Sequence, residues 1–230
     1  MSEWPEVSIV ITTYLRTQEA LATIKALQEN LYYTGALHWV ISDDGSPPEH
    51  REAIKAVLPP SADMLNVNRA GVGQSKNAAL GVAFNHSPYV LLLEDDWQLV
   101  QRLDLHPHVA VLRDNDKVGM IRFGYLGGGM IAQLDDLNGP CTPYWILKHG
   151  SGVYIYSGQV SLRKKEFYSA VGMHRTGISP GEEELDMCIR FNAVENAPLI
   201  VWPACFPTAQ GCGPFRHIGD NSLNSVTVEA

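Results

Sequence analysis

The chain has 230 residues, 45% hydrophobic and 18% charged, with 17 basic against 25 acidic side chains and a formal net charge of −8. Such a length carries one large α/β domain with a full core or two small domains, and the low charged fraction argues for a globular and not a disordered chain. The acidic balance argues against extensive nucleic-acid binding along a phosphate backbone.

The first residues, Met1 to Glu6, have no apolar core of a secretory signal, and no apolar run approaches the ~20 residues that span a bilayer. A cytoplasmic protein without a transmembrane segment is expected. Cys141, Cys188, Cys205 and Cys212 lack C-x-x-C spacing, which predicts reduced, packed thiols and no structural zinc.

In chain order, Val7 to Thr13 is a β-branched run that predicts a buried first strand. Thr17 reads as an N-cap, followed by Ala20, Leu21, Ile24, Leu27 and Leu31 at helical spacing. His38 to Ser42 predicts a second strand ending in Asp43-Asp44-Gly45-Ser46. Pro47 and Pro48 then open a second helix carrying Ala53, Ile54 and Val57. Met64 to Val67 predicts a short third strand, and the glycine-containing loop Asn68 to Ser75 leads into a third helix from Lys76 to Asn85. Tyr89 to Leu93 is an aliphatic run entering Glu94, Asp95 and Asp96, which predicts a strand buried on both faces with an acidic loop at its end. This alternation of strands and helices argues for a mostly parallel sheet with right-handed crossovers.

Three strands therefore end in polar clusters on one rim: Thr12, Thr13 and Tyr14; Asp43 and Asp44; Glu94, Asp95 and Asp96. Ligands of open α/β sheets bind outside the carboxyl ends of the strands. Adjacent carboxylates repel one another, and a divalent cation of the Mg²⁺ or Mn²⁺ type relieves that repulsion. A solvated acidic turn leaves the same trace in this stretch taken alone. Gly71 to Lys76 lacks the third glycine of a dinucleotide fingerprint and the frame of a Walker loop, yet Lys76 beside a helix start can contact an anionic group.

The segments Val7 to Tyr14, Val40 to Ser46, Gly73 to Asn77 and Leu93 to Asp96, followed by Ser157 to Phe167, Val171-Gly172 and Gly181 to Arg190, resemble in this order the signature of family 2 glycosyltransferases with the GT-A fold. The resemblance implies a single α/β domain over residues 1–230, with a mostly parallel central sheet flanked by helices, a nucleotide-binding half (7–100) and an acceptor half carrying the base (101–230). It implies that Thr12 and Asp44, with Thr13 and Tyr14, bind the donor nucleotide, Asp44 accepting from the ring N–H of a uracil. Lys76 matches a diphosphate contact, Asp96 the metal-binding carboxylate, and Glu94 or Asp95 a contact to ribose or coordinated water. His217, in Phe215 to Ser222, resembles a histidine that reaches the metal, with Arg216 or Ser222 near phosphate. The acidic helix implies Glu184 as first choice of catalytic base and Glu183 as second.

Transfer of a sugar from a nucleotide-sugar donor, here UDP-linked, requires neutralisation of the leaving diphosphate and deprotonation of the acceptor hydroxyl. A metal at Asp96 supplies the first as a Lewis acid. Glu183 and Glu184 point ~100° apart on a helix, so only one faces the site, and clustering of acids is expected to raise their pKa values and improve the base. A base separate from the leaving group implies inversion. The same acids also read as a first helical turn complementing the dipole.

His106-Pro-His108 reads as a solvated helix start. Gly124 to Gly129 reads as a lid or a plain turn, and Trp97 and Trp145 as sugar-stacking or core rings. Competing functions are a nucleotidyltransferase, disfavoured because Val7 to Leu15 contains no glycine, and a non-catalytic nucleotide-sugar-binding module. The acceptor hydroxyl is left open among a saccharide, a lipid-linked precursor, a protein side chain and a modified base.

Overall fold

The computed structural model describes residues 4–124, 134–136, 144–147, 155–203 and 213–219. The chain runs β1 (Val7–Thr13), α1 (Thr17–Asn30), β2 (Leu31–Tyr32), β3 (Leu37–Asp43), α2 (Pro48–Lys55), β4 (Asp63–Asn66), α3 (Val72–His86) and β5 (Tyr89–Glu94). It continues through β6 (Trp97–Leu99), β7 (Leu103–Asp104), α4 (His106–Asp114), β8 (Val118–Arg122), β9 (Leu134–Asp136), β10 (Tyr144–Leu147) and β11 (Ser161–Lys164). Last come α5 (Lys165–Val171), α6 (Pro180–Ala193), β12 (Leu199–Pro203) and β13 (Phe215–His217).

Among the described residues, nine strands form one sheet in the order β4-β3-β1-β5-β11-β8-β12-β10-β9. The first four are parallel throughout, as the alternating sequence predicts. β11 then runs antiparallel to both β5 and β8, while β12 is parallel to β8 and antiparallel to β10. Strand order reverses direction between β1 and β5, which makes their carboxyl ends the switch point where a crevice opens.

The period of two along the strands divides the core into two layers. Ile9, Ile11, Ile41, Leu91 and Leu93 pack with Ala20, Ile24 and Leu27 of α1, Ile54 of α2, and Val109 and Leu112 of α4. Val10, Val40, Val90 and Leu92 face the other way, onto Ala79, Leu80 and Ala83 of α3, Phe167 of α5, and Met187 and Phe191 of α6. β5 is thus covered on both faces, as an unbroken aliphatic run demands.

Several local expectations change. Thr17 is the first residue of α1 and not its cap: Arg16 holds the cap position without a side-chain hydrogen bond, and the Thr17 hydroxyl lies 2.8 Å from His50 Nδ1. α3 begins at Val72, four residues before Lys76, because Gly71 takes the left-handed φ of 88° that turns the chain into the helix. Lys76 consequently sits in the second helical turn and is buried, not on an open glycine loop. His106 and His108 do not converge: the first meets Asp104 and Thr34, the second the Tyr144 hydroxyl.

Cys188 is a buried free thiol; Cys141, Cys205, Cys212, the stretch Tyr125 to Gly129 and Ser222 lie outside the described residues. Among the described residues no helix is long and apolar enough to cross a membrane.

Candidate functional site

Strand register brings the polar tips together. Thr12 pairs with Ser42 on one side and Glu94 on the other, and Thr13 pairs with Asp43. The chain leaves β5 through Asp95, whose N–H donates to Thr12 O at 3.0 Å. Its carboxylate accepts from the Thr13 hydroxyl at 2.7 Å and from Tyr14 N–H at 3.3 Å. Thr23 of α1 donates to Asp95 O at 2.7 Å, so the acidic turn is held from both sides. Burial, the largest cause, pushes the Asp95 carboxyl up to about 7 against the hydrogen bond from Thr13, with the Asp96 charge adding to the rise.

Asp96 is the next residue and is also buried. One oxygen, Oδ2, meets the Arg16 guanidinium and lies 3.2 Å from His217 Nε2. The other, Oδ1, is buried with no hydrogen-bond partner. Burial and then the Glu94 charge raise its pKa, with His217 and Arg16 pulling the other way. A buried carboxylate oxygen without a donor is costly and marks a place where a cation or donor belongs.

His217 arrives there by register. β13 pairs antiparallel with β6, setting His217 opposite Trp97, and Ile218 N–H donates to Asp96 O at 2.8 Å. A Cβ on Gly219 would collide with the Asp96 carboxylate, so only glycine lets the backbone pass this close. Trp97 is buried against His217, with ring centroids 5.1 Å apart, and packs in the core. Trp145 is half-buried against the second core layer.

The tip of β3 forms a second part of the rim. Asp43 is fully buried; it accepts from Ser46 N–H at 3.0 Å and from Arg51 at 3.1 Å. His50 stands between the two tips, 3.1 Å from the Thr13 hydroxyl and 3.8 Å from Asp43. Asp44 is only half-buried and accepts from Gly71 N–H at 3.1 Å. Its pKa is raised by burial in spite of that hydrogen bond. The Arg69 guanidinium lies over the Tyr14 ring, 5.3 Å from its centroid. Asn68 and Arg69 both hold positive φ, at 52° and 60°, a strained turn of the sort that accompanies ligand clamps.

On the far side, the four acids of α6 separate by task. Glu182 closes a capping box with Ser179. Asp186 pairs with Arg190 at 2.8 Å and with Arg175 at 3.3 Å. Glu183 is fully buried, 3.0 Å from Lys76 Nζ and in short contact with His174 Nδ1. Burial would raise its pKa, but the His174 hydrogen bond and the Lys76 charge outweigh it and hold the carboxyl down to about 2. The expectation that clustered acids raise one another therefore fails at Glu183, because the cluster contains its own cation.

Glu184 is half-exposed, and Oε1 accepts from Gly158 N–H at 2.7 Å and from the Ser157 hydroxyl at 3.0 Å. Lys76 joins the two clusters: its ammonium is also 3.2 Å from Glu94 Oε1. Burial alone would lower the Lys76 pKa, yet Glu94 and Glu183 keep it above the usual lysine value.

The structure thus gathers Thr13, Tyr14, Asp95, Asp96 and His217 at one locus and Lys76, Glu94 and Glu183 at a linked one, with Glu184 beside Lys76 across Gly158. Asp44 lies farther along the rim with Gly71. Sequence reasoning missed Arg16, Thr23, His50 and His174. Arg16 could have been suspected as the first cation after Thr12-Thr13-Tyr14, whereas His174 carries no local signal because its partner is nine positions away on another element.

Comparison with known proteins follows the same lines. The family model for glycosyl transferase family 2 matches residues 8–172. No curated relative matches the sequence. Among solved structures, S. aureus TarS 1-349 in complex with UDP-GlcNAc superposes with a TM-score of 0.63 at 14% identity, covering 87% of this chain and 56% of that one. A second TarS structure gives 0.60 at 15% identity, with 87% and 35% covered. Mannosyltransferase PcManGT from Pyrobaculum calidifontis, in complex with GDP-Man and Mn²⁺, gives 0.58 at 15%, with 92% and 59% covered. The chain spans between about a third and three fifths of the length of these structures, which share its fold, a GT-A arrangement of a large sheet flanked by helices. With the ordered tips of β1, β3 and β5 and a family match over most of its length, the chain belongs to glycosyl transferase family 2.

Proposed function

We propose that this protein transfers a sugar from a nucleotide-sugar donor, UDP-linked in the first instance, to an acceptor hydroxyl with inversion at the anomeric carbon. The orphaned Oδ1 of Asp96 carries the assignment: a buried anionic oxygen beside a histidine nitrogen suits a divalent cation of the Mn²⁺ or Mg²⁺ class. Asp96 and His217 would hold that ion, which when bound supplies Lewis-acid neutralisation of the departing diphosphate. PcManGT, solved with GDP-Man and Mn²⁺, and TarS, solved with UDP-GlcNAc, lend the donor class its support.

The chain's own groups do the rest. Asp44 and Tyr14, with Thr12 and Thr13 on the same rim, form the nucleotide side. Arg16 brings a fixed positive charge to the carboxylate pair. Glu94 keeps Lys76 at the base of the cleft, where the ammonium counters negative charge without being free to leave Glu183.

Glu184 takes the acceptor proton. Glu182 is spent on capping, Asp186 on two arginines and Glu183 on Lys76 and His174. Glu184 is half-exposed and, unlike Glu182, is not engaged in the helix cap, and the buried Arg122 guanidinium acts on its charge. Ser157 and Gly158 fix its orientation, and general-base assistance is worth ~10²- to 10⁴-fold.

The test is turnover of UDP-sugars with Mn²⁺. Glu184→Gln is expected to lower kcat by ~10²- to 10⁴-fold with donor binding retained, and Asp96→Ala to abolish Mn²⁺-dependent nucleotide binding. Unchanged kcat in Glu184→Gln would remove the base assignment. Binding without any turnover in the wild type would make the protein a nucleotide-sugar-binding module, and NMR of the product linkage reads inversion directly.

A further inference from the structure

At the other end of the sheet, away from the strand tips that hold Asp95 and Asp96, four segments bring together two imidazoles and two carboxylates. His38 is the second residue of β3, Asp63 the first of β4 and His86 the last of α3, while Glu6 directly precedes β1. The two imidazole rings stack with centroids 3.6 Å apart and planes 18° from parallel. Both rings present Nε2 to the same carboxylate oxygen, Asp63 Oδ2, at 2.9 Å from His38 and 3.7 Å from His86. Glu6, His38 and His86 each offer a ligand atom, all within 4.8 Å of one another.

We propose that Glu6, His38, Asp63 and His86 form a binding site for a Zn²⁺-class transition-metal ion, separate from the cation site at Asp96. Zinc takes imidazole nitrogen and carboxylate oxygen at ~2.0–2.2 Å in a tetrahedron, so its ligand atoms lie ~3.4 Å apart. The donor atoms of Glu6, His38 and His86 lie within 4.8 Å of one another and Asp63 Oδ2 lies 2.9 and 3.7 Å from the two imidazole nitrogens, so the site requires side-chain rotation to bring the four to that spacing. Two nitrogen donors favour zinc over Mg²⁺ or Ca²⁺, which prefer an all-oxygen shell.

The backbone holds the donors in place. Ser87 Oγ donates to Glu6 O and accepts from Tyr89 N–H at 2.9 Å, tying the end of α3 to the chain entering β1. The bound ion clamps the edge strand β4, which is only partly buried along its length, to β3, to the start of β1 and to the end of α3. Its role is to stabilise the sheet edge and the helix that carries Lys76, with no part in sugar transfer.

The decisive measurement is Zn²⁺ titration of the Asp96→Asn protein, which removes the other candidate cation site, followed by calorimetry, thermal shift and Co²⁺ substitution. One equivalent of Zn²⁺ per chain, a Tm that rises with added Zn²⁺, and visible absorption of a non-octahedral Co²⁺ complex are the expected results. His86 is exposed enough for His86→Ala to fold, and both this variant and Glu6→Gln are expected to weaken Zn²⁺ at least ~10-fold. Mn²⁺-supported turnover of His86→Ala in the otherwise wild-type chain is expected to be unchanged. Absence of Zn²⁺ binding in Asp96→Asn, or an affinity unaltered by both His86→Ala and Glu6→Gln, overturns the proposal.

Discussion

The acids at the end of β5 and those at the start of α6 are joined through Lys76, and the fold treats them in opposite ways. At the β5 end burial outweighs the neighbouring donors, lifting Asp95 to about 7 and leaving an oxygen of Asp96 without a partner. At α6 the same burial is overcome by Lys76 and His174, and Glu183 is held down to about 2. The one carboxylate oxygen that Arg16 and His217 leave without a partner is a demand for a ligand. Negative charge that the protein compensates internally is architecture, and Glu184 stands between the two, oriented by Ser157 and Gly158 and half-exposed, with the buried Arg122 guanidinium acting on its charge.

The largest expected effect comes from removing the internal cation. Lys76→Ala strands Glu183 as a buried charge and is expected to cost ~3–5 kcal/mol of stability in urea denaturation, whereas Lys76→Met combined with Glu183→Gln recovers most of it. If Lys76→Ala costs less than about 1 kcal/mol, the buried pair is no more than a surface-type ion pair and the contrast disappears.

Acid sharpens the same contrast. Glu183 is held at about 2 against an ordinary 4.5, so its contribution is present above 4.5 and is lost as pH falls toward 2. Burial keeps His174 neutral, down at about 4 against 6.5, so stability also falls as pH drops from 6.5 to 4. Asp95 carries the reverse sign, its raised pKa weakening the fold as pH climbs from 3.8 to about 7. Melting curves across this range are expected to show α6-linked acid loss that Glu183→Gln flattens in its lower part.

At the β5 end, His217→Ala is expected to weaken Mn²⁺ binding by ~10- to 100-fold without lowering Tm, measured by titration calorimetry. The smallest effect belongs to Ser157→Ala. Gly158 N–H still holds Glu184 Oε1, so kcat is expected to fall by no more than about tenfold, or ~1.4 kcal/mol.

Much of the first hundred residues was readable because their signals are local. A β-branched run, an aliphatic run into three acids and prolines at a helix start each report their own conformation, and parallel register then aligns their ends. The α3 start was misplaced because a left-handed glycine at Gly71 begins the helix where composition suggests loop. In the second half, β11 enters the sheet between β5 and β8 with both neighbours antiparallel, an ordering no local pattern dictates. The task of Glu183 was likewise hidden, since its partners Lys76 and His174 come from α3 and from the loop before α6. Glu184 stands first among the bases the resemblance implies, and its proposed role draws its structural support from where Ser179, Arg175 and Arg190 sit around its neighbours.

The first turn of α3 lies so close to the loop before α6 that a Cβ on Gly73 would collide with the carbonyl oxygen of Arg175. Immediately beside it Asn77 exchanges paired hydrogen bonds with the His174 backbone, at 2.8 and 2.9 Å. The start of α3 and the loop before α6 are thus riveted together and cannot swing apart without breaking this junction. That junction fixes the spacing between the helix that carries Lys76 and the loop that carries His174, and with it the distance over which both reach Glu183.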